Sequence, residues 1–173
     1  THHPKRLYLN VSGETLIDPR YVEASDGIGL YRSEFLYFQK NAFPSVDKQV
    51  EVYGLFLKQF YPKPVIIRTY DFGDDKNPLN LGPLQRVVSD YFITYEKPFI
   101  EQLSALLVLN ETYDNLKVMI PMVKRRGDVD AVIQLMKNLQ HKFGFSKTLP
   151  PVGVMIETEE AFMHLDGFAT GDF

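Results

Sequence analysis

Apolar residues fall along this chain in two alternating rhythms. Short runs rich in β-branched and aromatic side chains recur at residues 6–11, 27–31, 65–69, 117–121 and 152–156, each of strand length. Val65-Ile66-Ile67 and Val118-Met119-Ile120 are continuous rather than alternating, which predicts strands buried on both faces of a parallel sheet. Between the runs the spacing becomes helical. Val129, Val132, Ile133, Met136 and Leu139 form one stripe, with Asp128 placed to cap its start. Phe99, Leu103, Leu106 and Leu107 form a second after Pro98, a residue tolerated in a first helical turn. Val50, Tyr53, Leu57 and Phe60 share one face of a third, predicted over residues 47–60. This alternation predicts an α/β fold with a parallel sheet, either doubly wound or curled into a barrel.

The stretch at residues 71–84, with Gly73, Pro78, Gly82 and Pro83, reads as a long loop after a strand. In barrels and open parallel sheets such loops carry the site, because the strand C-termini share one end. A full eight-unit barrel takes about 250 residues, so this chain has room for about five to six βα units. A partial (β/α)8 barrel or an open sheet is expected.

At 173 residues, 45% hydrophobic and 24% charged, the chain has the material for one domain with a real core, expected over residues 1–173. A net charge of -3 with no Lys/Arg block argues against a nucleic-acid surface. No apolar run approaches the roughly 18 residues of a membrane span, and no secretory signal opens the chain, so a soluble cytoplasmic protein is expected. The absence of cysteine removes disulfides and thiolate zinc sites. The chain runs from Thr1 to Phe173 and is expected to be a piece of a longer protein.

Charge interrupts the apolar runs where strands end. Arg32 follows Gly27-Ile28-Gly29-Leu30-Tyr31, and Arg68 follows Val65-Ile66-Ile67. Two guanidinium groups can converge on one anion, since the planar fork binds carboxylate or phosphate through two hydrogen bonds and stays charged when desolvated. Glu157 follows Val152-Gly153-Val154-Met155-Ile156, and a lone carboxylate beside phosphate groups suits magnesium. The competing reading is of end-of-strand ion pairs or solvated loop charges.

The same segments carry a resemblance. GIGLYRSEFLYF, at residues 27–38, resembles the signature GIGLxRTEFL of the phosphoenolpyruvate-utilising enzymes, most closely the enzyme I type of the sugar phosphotransferase system. VIIRTYDFGDDK is similar to that family's VIIRTxDxGGDK, LKVMIPMV to its LRIMFPMI, and VGVMIETEEA to its VGVMVETPAA. The resemblance implies a phosphoenolpyruvate-binding TIM barrel of the phosphoenolpyruvate/pyruvate type, passing phosphoryl to a histidine on a separate domain and onward to a phosphocarrier protein. It implies Arg32 and Arg68 as phosphate-binding catalytic residues, Asp71 and Lys76 as substrate-binding support, and Glu157 as a ligand of Mg2+. A homodimer is implied by the same analogy. Pyruvate phosphate dikinase and phosphoenolpyruvate synthase share this barrel and remain alternatives, as does a metal-dependent lyase.

Departures from the family motifs favour a further alternative, a non-catalytic or regulatory paralogue. The family's third arginine lies in Pro-Phe-Leu-Gly-x-Arg, and strict alignment puts Leu84 there, leaving Arg86 as the substitute for binding substrate. Asp74 replaces a glycine. Glu159 and Glu160 replace Pro and Ala, as surplus metal ligands or as the acidic first turn of a helix. The second metal ligand falls at Asp172 in GFATGDF, against the reading of an ordinary loop carboxylate. The family's catalytic cysteine, a further substrate arginine and the phosphohistidine domain lie outside the matched motifs, so this chain alone is not expected to complete the reaction. Tyr31, Phe35, Tyr37, Phe38, Tyr53, Phe56 and Phe60 are expected in core and interface, and His141 and His164 on helix surfaces.

Overall fold

The computed structural model describes residues 5–71 and 96–169. Its strands fall on the predicted runs with ends shifted by a few residues: β1 Leu9–Ser12, β2 Ile28–Arg32, β3 Val65–Arg68, β4 Leu116–Ile120 and β5 Val152–Val154. Each pairs in parallel with the next in chain order. A doubly wound sheet reverses strand order at a switch point. The described sheet does not, which sets that architecture aside; a five-stranded parallel sheet in sequential order is consistent with part of a barrel.

The helices are α1 (Pro19–Ala24), α2 (Phe35–Lys40), α3 (Val46–Phe60), α4 (Glu96–Thr112), α5 (Arg126–Phe143), α6 (Glu159–Met163) and α7 (Leu165–Ala169). Ser45 caps α3 by accepting from the Lys48 N–H at 3.2 Å. Asp128 acts differently from its expected role. The helix starts earlier, at Arg126, so Asp128 lies inside the first turn and its Oδ2 reaches back to accept from the N–H groups of Lys124 (2.9 Å) and Arg125 (3.1 Å). Pro98 does lie in the first turn of α4.

One face of the sheet meets these helices. The Tyr31 ring sits 5.6 Å from that of Tyr53 and 5.1 Å from that of Phe56, both on α3, and Ile28, Val65, Ile67, Leu116, Val118 and Val152 join the same core. Among the described residues the other face of the sheet is less covered. Ile66 and Met119 are half-buried and Lys117, the register partner of Ile66, is exposed. Their side chains alternate onto the face turned away from α3, and it is there that the strand-end charges stand.

The opposite end of the sheet is fastened for stability. Lys63 Nζ donates to the carbonyls of Val22 (2.7 Å), Glu23 (3.1 Å) and Ser25 (2.7 Å) at the end of α1, where a cation complements the helix dipole. Asn115 Nδ2 donates to the carbonyls of Leu57 (3.0 Å) and Lys63 (2.9 Å).

Candidate functional site

β2 and β3 end side by side, and their last residues, Arg32 and Arg68, are register partners. Tyr31 and Ile67 turn into the core, so both arginines alternate to the other face from backbone positions about 4.8 Å apart. Arg68 is only 7% exposed. Its Nη2 donates to Glu34 Oε1 at 2.6 Å, and its Nη1 to Asp71 Oδ2 at 2.8 Å and to Met155 Sδ at 3.6 Å. Arg32 is half-buried, with its Cζ 4.8 Å from the centre of the Phe35 ring. The Nε atoms of both arginines are buried and have no hydrogen-bond partner among the described residues. A buried donor without an acceptor is costly, which makes these two N–H groups candidate anion ligands.

Electrostatics around Arg68 are balanced against it. Burial pushes the Glu34 carboxyl above the usual carboxylate range, the Arg68 guanidinium pulls it back, and Asp71 adds a smaller push upward. Asp71 pairs with Arg68 directly, at 2.8 Å.

A buried polar layer holds the two strand ends together. Ser33 Oγ donates to the Arg68 carbonyl at 2.7 Å and accepts from Gln102 Nε2 at 2.9 Å. Gln102 also contacts the Tyr53 hydroxyl (3.2 Å), and its Oε1 accepts from the Tyr70 N–H at 2.9 Å. Tyr53 donates in turn to Gln49 Oε1 at 3.2 Å. Burial raises the Tyr53 phenol well above its ordinary range, so it stays neutral. One glutamine on α4 thus ties the residue after β2 to the second residue after β3.

Glu157 stands at the same end, two residues beyond Met155. Its Oε1 accepts from the Met122 N–H at 2.8 Å, its side chain is exposed, and no other partner is found among the described residues. The next residue, Thr158, caps α6 by accepting from Ala161 N–H at 3.0 Å while donating to Val123 O at 2.8 Å. Glu159 and Glu160 form the acidic first turn of α6, and Glu160 pairs with Lys124 at 3.3 Å. Among the described residues no group of three or more His, Cys, Asp or Glu side chains is arranged to hold a metal, and no helix is long and apolar enough to cross a membrane.

Of the residues singled out in the sequence, the fold brings Arg32, Arg68 and Asp71 together, with Glu157 linked to them through Met155. Lys76, Arg86 and Asp172 lie outside the described residues, as do Asp74 and Leu84. Glu34, Ser33 and Gln102 carry no role in the sequence reading. A signal existed for Gln102, a polar residue set beside Leu103 on the apolar stripe of α4.

The described residues form a parallel α/β sheet that carries two arginines side by side at neighbouring strand ends. Residues 1–173 match the family described as PEP-utilising enzyme, PEP-binding domain, and the chain belongs to that family. Similar proteins include one from Escherichia coli (strain K12) named phosphoenolpyruvate-dependent phosphotransferase system, 34% identical over 76% of this chain and 19% of its own length. The phosphoenolpyruvate-protein phosphotransferase of Mycoplasma genitalium is 34% identical over 85% of this chain and 28% of its own length. That of Geobacillus stearothermophilus is 33% identical over 94% and 30%. The chain therefore spans less than a third of the length of these relatives and is a PEP-binding domain resembling enzyme I.

Proposed function

We propose that residues 1–173 are the N-terminal part of a (β/α)8 barrel that binds phosphoenolpyruvate within a cytoplasmic phosphoenolpyruvate-protein phosphotransferase. The observation that carries this reading is the register pairing of Arg32 and Arg68 with their buried, unpartnered Nε–H groups. Phosphoryl transfer runs through a transition state whose charge spreads over three equatorial oxygens, and it asks the protein mainly for position and for fixed positive charge. Arg32 and Arg68 supply that charge to the phosphate. Asp71 fixes Arg68, and Lys76 and Arg86 complete the anion-binding end. The acceptor is a histidine on another domain, a phosphocarrier protein is the onward partner, and the assembly is a homodimer.

Glu157 fits a Mg2+ ligand, because its exposed carboxylate is a hard oxygen donor at the same end of the sheet, and magnesium takes one or two carboxylates with substrate oxygens and water. Asp172 is the second candidate ligand. When bound, the metal neutralises charge on the substrate's oxygens.

Calorimetry on the intact protein tests this. Phosphoenolpyruvate or oxalate with magnesium is expected to bind, and Arg32→Ala or Arg68→Ala to weaken phosphoenolpyruvate about tenfold or more. No binding by the wild type would remove the reading. The two carboxylates already on Arg68 favour a second reading, a regulatory paralogue; it predicts binding without phosphoryl transfer to histidine.

A further inference from the structure

We infer that Glu34 is a positioning residue that sets which edge of Arg68 faces an incoming anion, an assignment that rests on Arg68 being a phosphate ligand. Consecutive residues grip both ends of this arginine. Ser33 holds its carbonyl at 2.7 Å, and Glu34 holds its Nη2 at 2.6 Å. The grip is rigid because Glu34 is 4% exposed and its own carbonyl accepts from the N–H groups of Tyr37 (3.0 Å) and Phe38 (3.2 Å), which start α2.

Geometry decides what remains free. A guanidinium has five N–H donors in a fixed fork. Glu34 takes Nη2 through Oε1 alone, while its Oε2 is buried without a hydrogen-bond partner among the described residues. Asp71 takes Nη1 from the other side. Opposed single-oxygen contacts stop the fork from turning, whereas a two-oxygen clamp by one carboxylate would claim a whole edge. Met155 Sδ meets Nη1 as well, at 3.6 Å, which leaves one Nη2 N–H and the Nε–H, and Nε is the buried donor without a partner among the described residues. Arg32, two residues before Glu34, presents the same kind of donor from the neighbouring strand. One short segment, Arg32-Ser33-Glu34, therefore delivers the first cation and the device that aims the second.

Removing Glu34 lets the Arg68 fork rotate onto Asp71, closing the free edge. Keeping an oxygen at Oε1 without the charge preserves the aim. On the intact protein with magnesium, Glu34→Ala is expected to weaken phosphoenolpyruvate about tenfold or more, and Glu34→Gln to restore it to within about threefold of wild type. Circular dichroism fixes the folded fraction. If Glu34→Ala does not fold, Glu34→Asp is read instead, and its shorter reach is expected to cost a similar factor. Wild-type affinity in Glu34→Ala, or a Glu34→Gln variant as weak as Glu34→Ala, overturns the inference. A wild type that binds nothing, or an Arg68→Ala variant that binds normally, removes the underlying reading of Arg68 and the inference with it.

Discussion

Arg32 and Arg68 are direct register partners at the ends of two parallel strands, and the residue after the first, Ser33, hydrogen-bonds the carbonyl of the second. The backbone distance between the two cations is thus fixed by the sheet itself, and their side chains need only modest ordering to meet one anion. The two arginines nevertheless differ in how they are held, which separates their effects on stability.

Arg68→Ala leaves Glu34 buried without its cation, at a cost of about 3 kcal/mol or more. Arg32 loses chiefly its stacking on Phe35, about 1 kcal/mol. Urea denaturation of the two variants checks the difference; equal losses would mean that the Arg68–Glu34 pair is not formed in solution.

Glu34 also sets a pH dependence. Its carboxyl is raised by burial above the ordinary value of 4.5, so the folded chain holds that proton longer than the unfolded chain does. The contribution is fully present below about pH 4.5 and is lost as pH rises through the folded value. The stability of wild type relative to Glu34→Gln is therefore expected to fall as pH rises from about 4.5 in urea melts. A gap that grows in favour of wild type as pH rises contradicts the assignment.

Gln102→Leu removes the acceptor for the Tyr70 N–H and the donor to Ser33 and Tyr53 in a layer closed to water. A loss of about 2–4 kcal/mol is expected. Phosphoenolpyruvate affinity should fall with it, because Ser33 and Tyr70 flank the arginine-bearing strand ends. Chemical denaturation together with calorimetry reads both.

Gly27 has φ +139°, and a Cβ there would lie 2.3 Å from the Pro64 carbonyl oxygen. That carbonyl accepts from Ile28 N–H at 2.9 Å and so cannot yield cheaply. Gly27→Ala is expected to cost about 2 kcal/mol or more, seen as a lower melting temperature.

Much of this architecture was legible in the sequence. The strand runs and helical stripes placed the five strands and the long helices, because periodicity reports which face of an element is covered. Ile66 and Met119 lie half-buried on the face turned away from α3. Short α1 and α2 left no periodic trace. At the site, Arg32, Arg68 and Glu157 were visible because charge ended an apolar run. Glu34 was not, because two residues on the same turn gave no hint that its partner would come from the next strand. Asp71 bonds Arg68, three residues before it at the end of β3.

The most direct measurement of the central claim is calorimetric titration of the intact protein with phosphoenolpyruvate and magnesium, repeated with Arg32→Ala and Arg68→Ala. Saturable binding by the wild type, weakened about tenfold or more in each variant, is the predicted result. Undiminished affinity in both variants would contradict the arginine pair as the phosphate site.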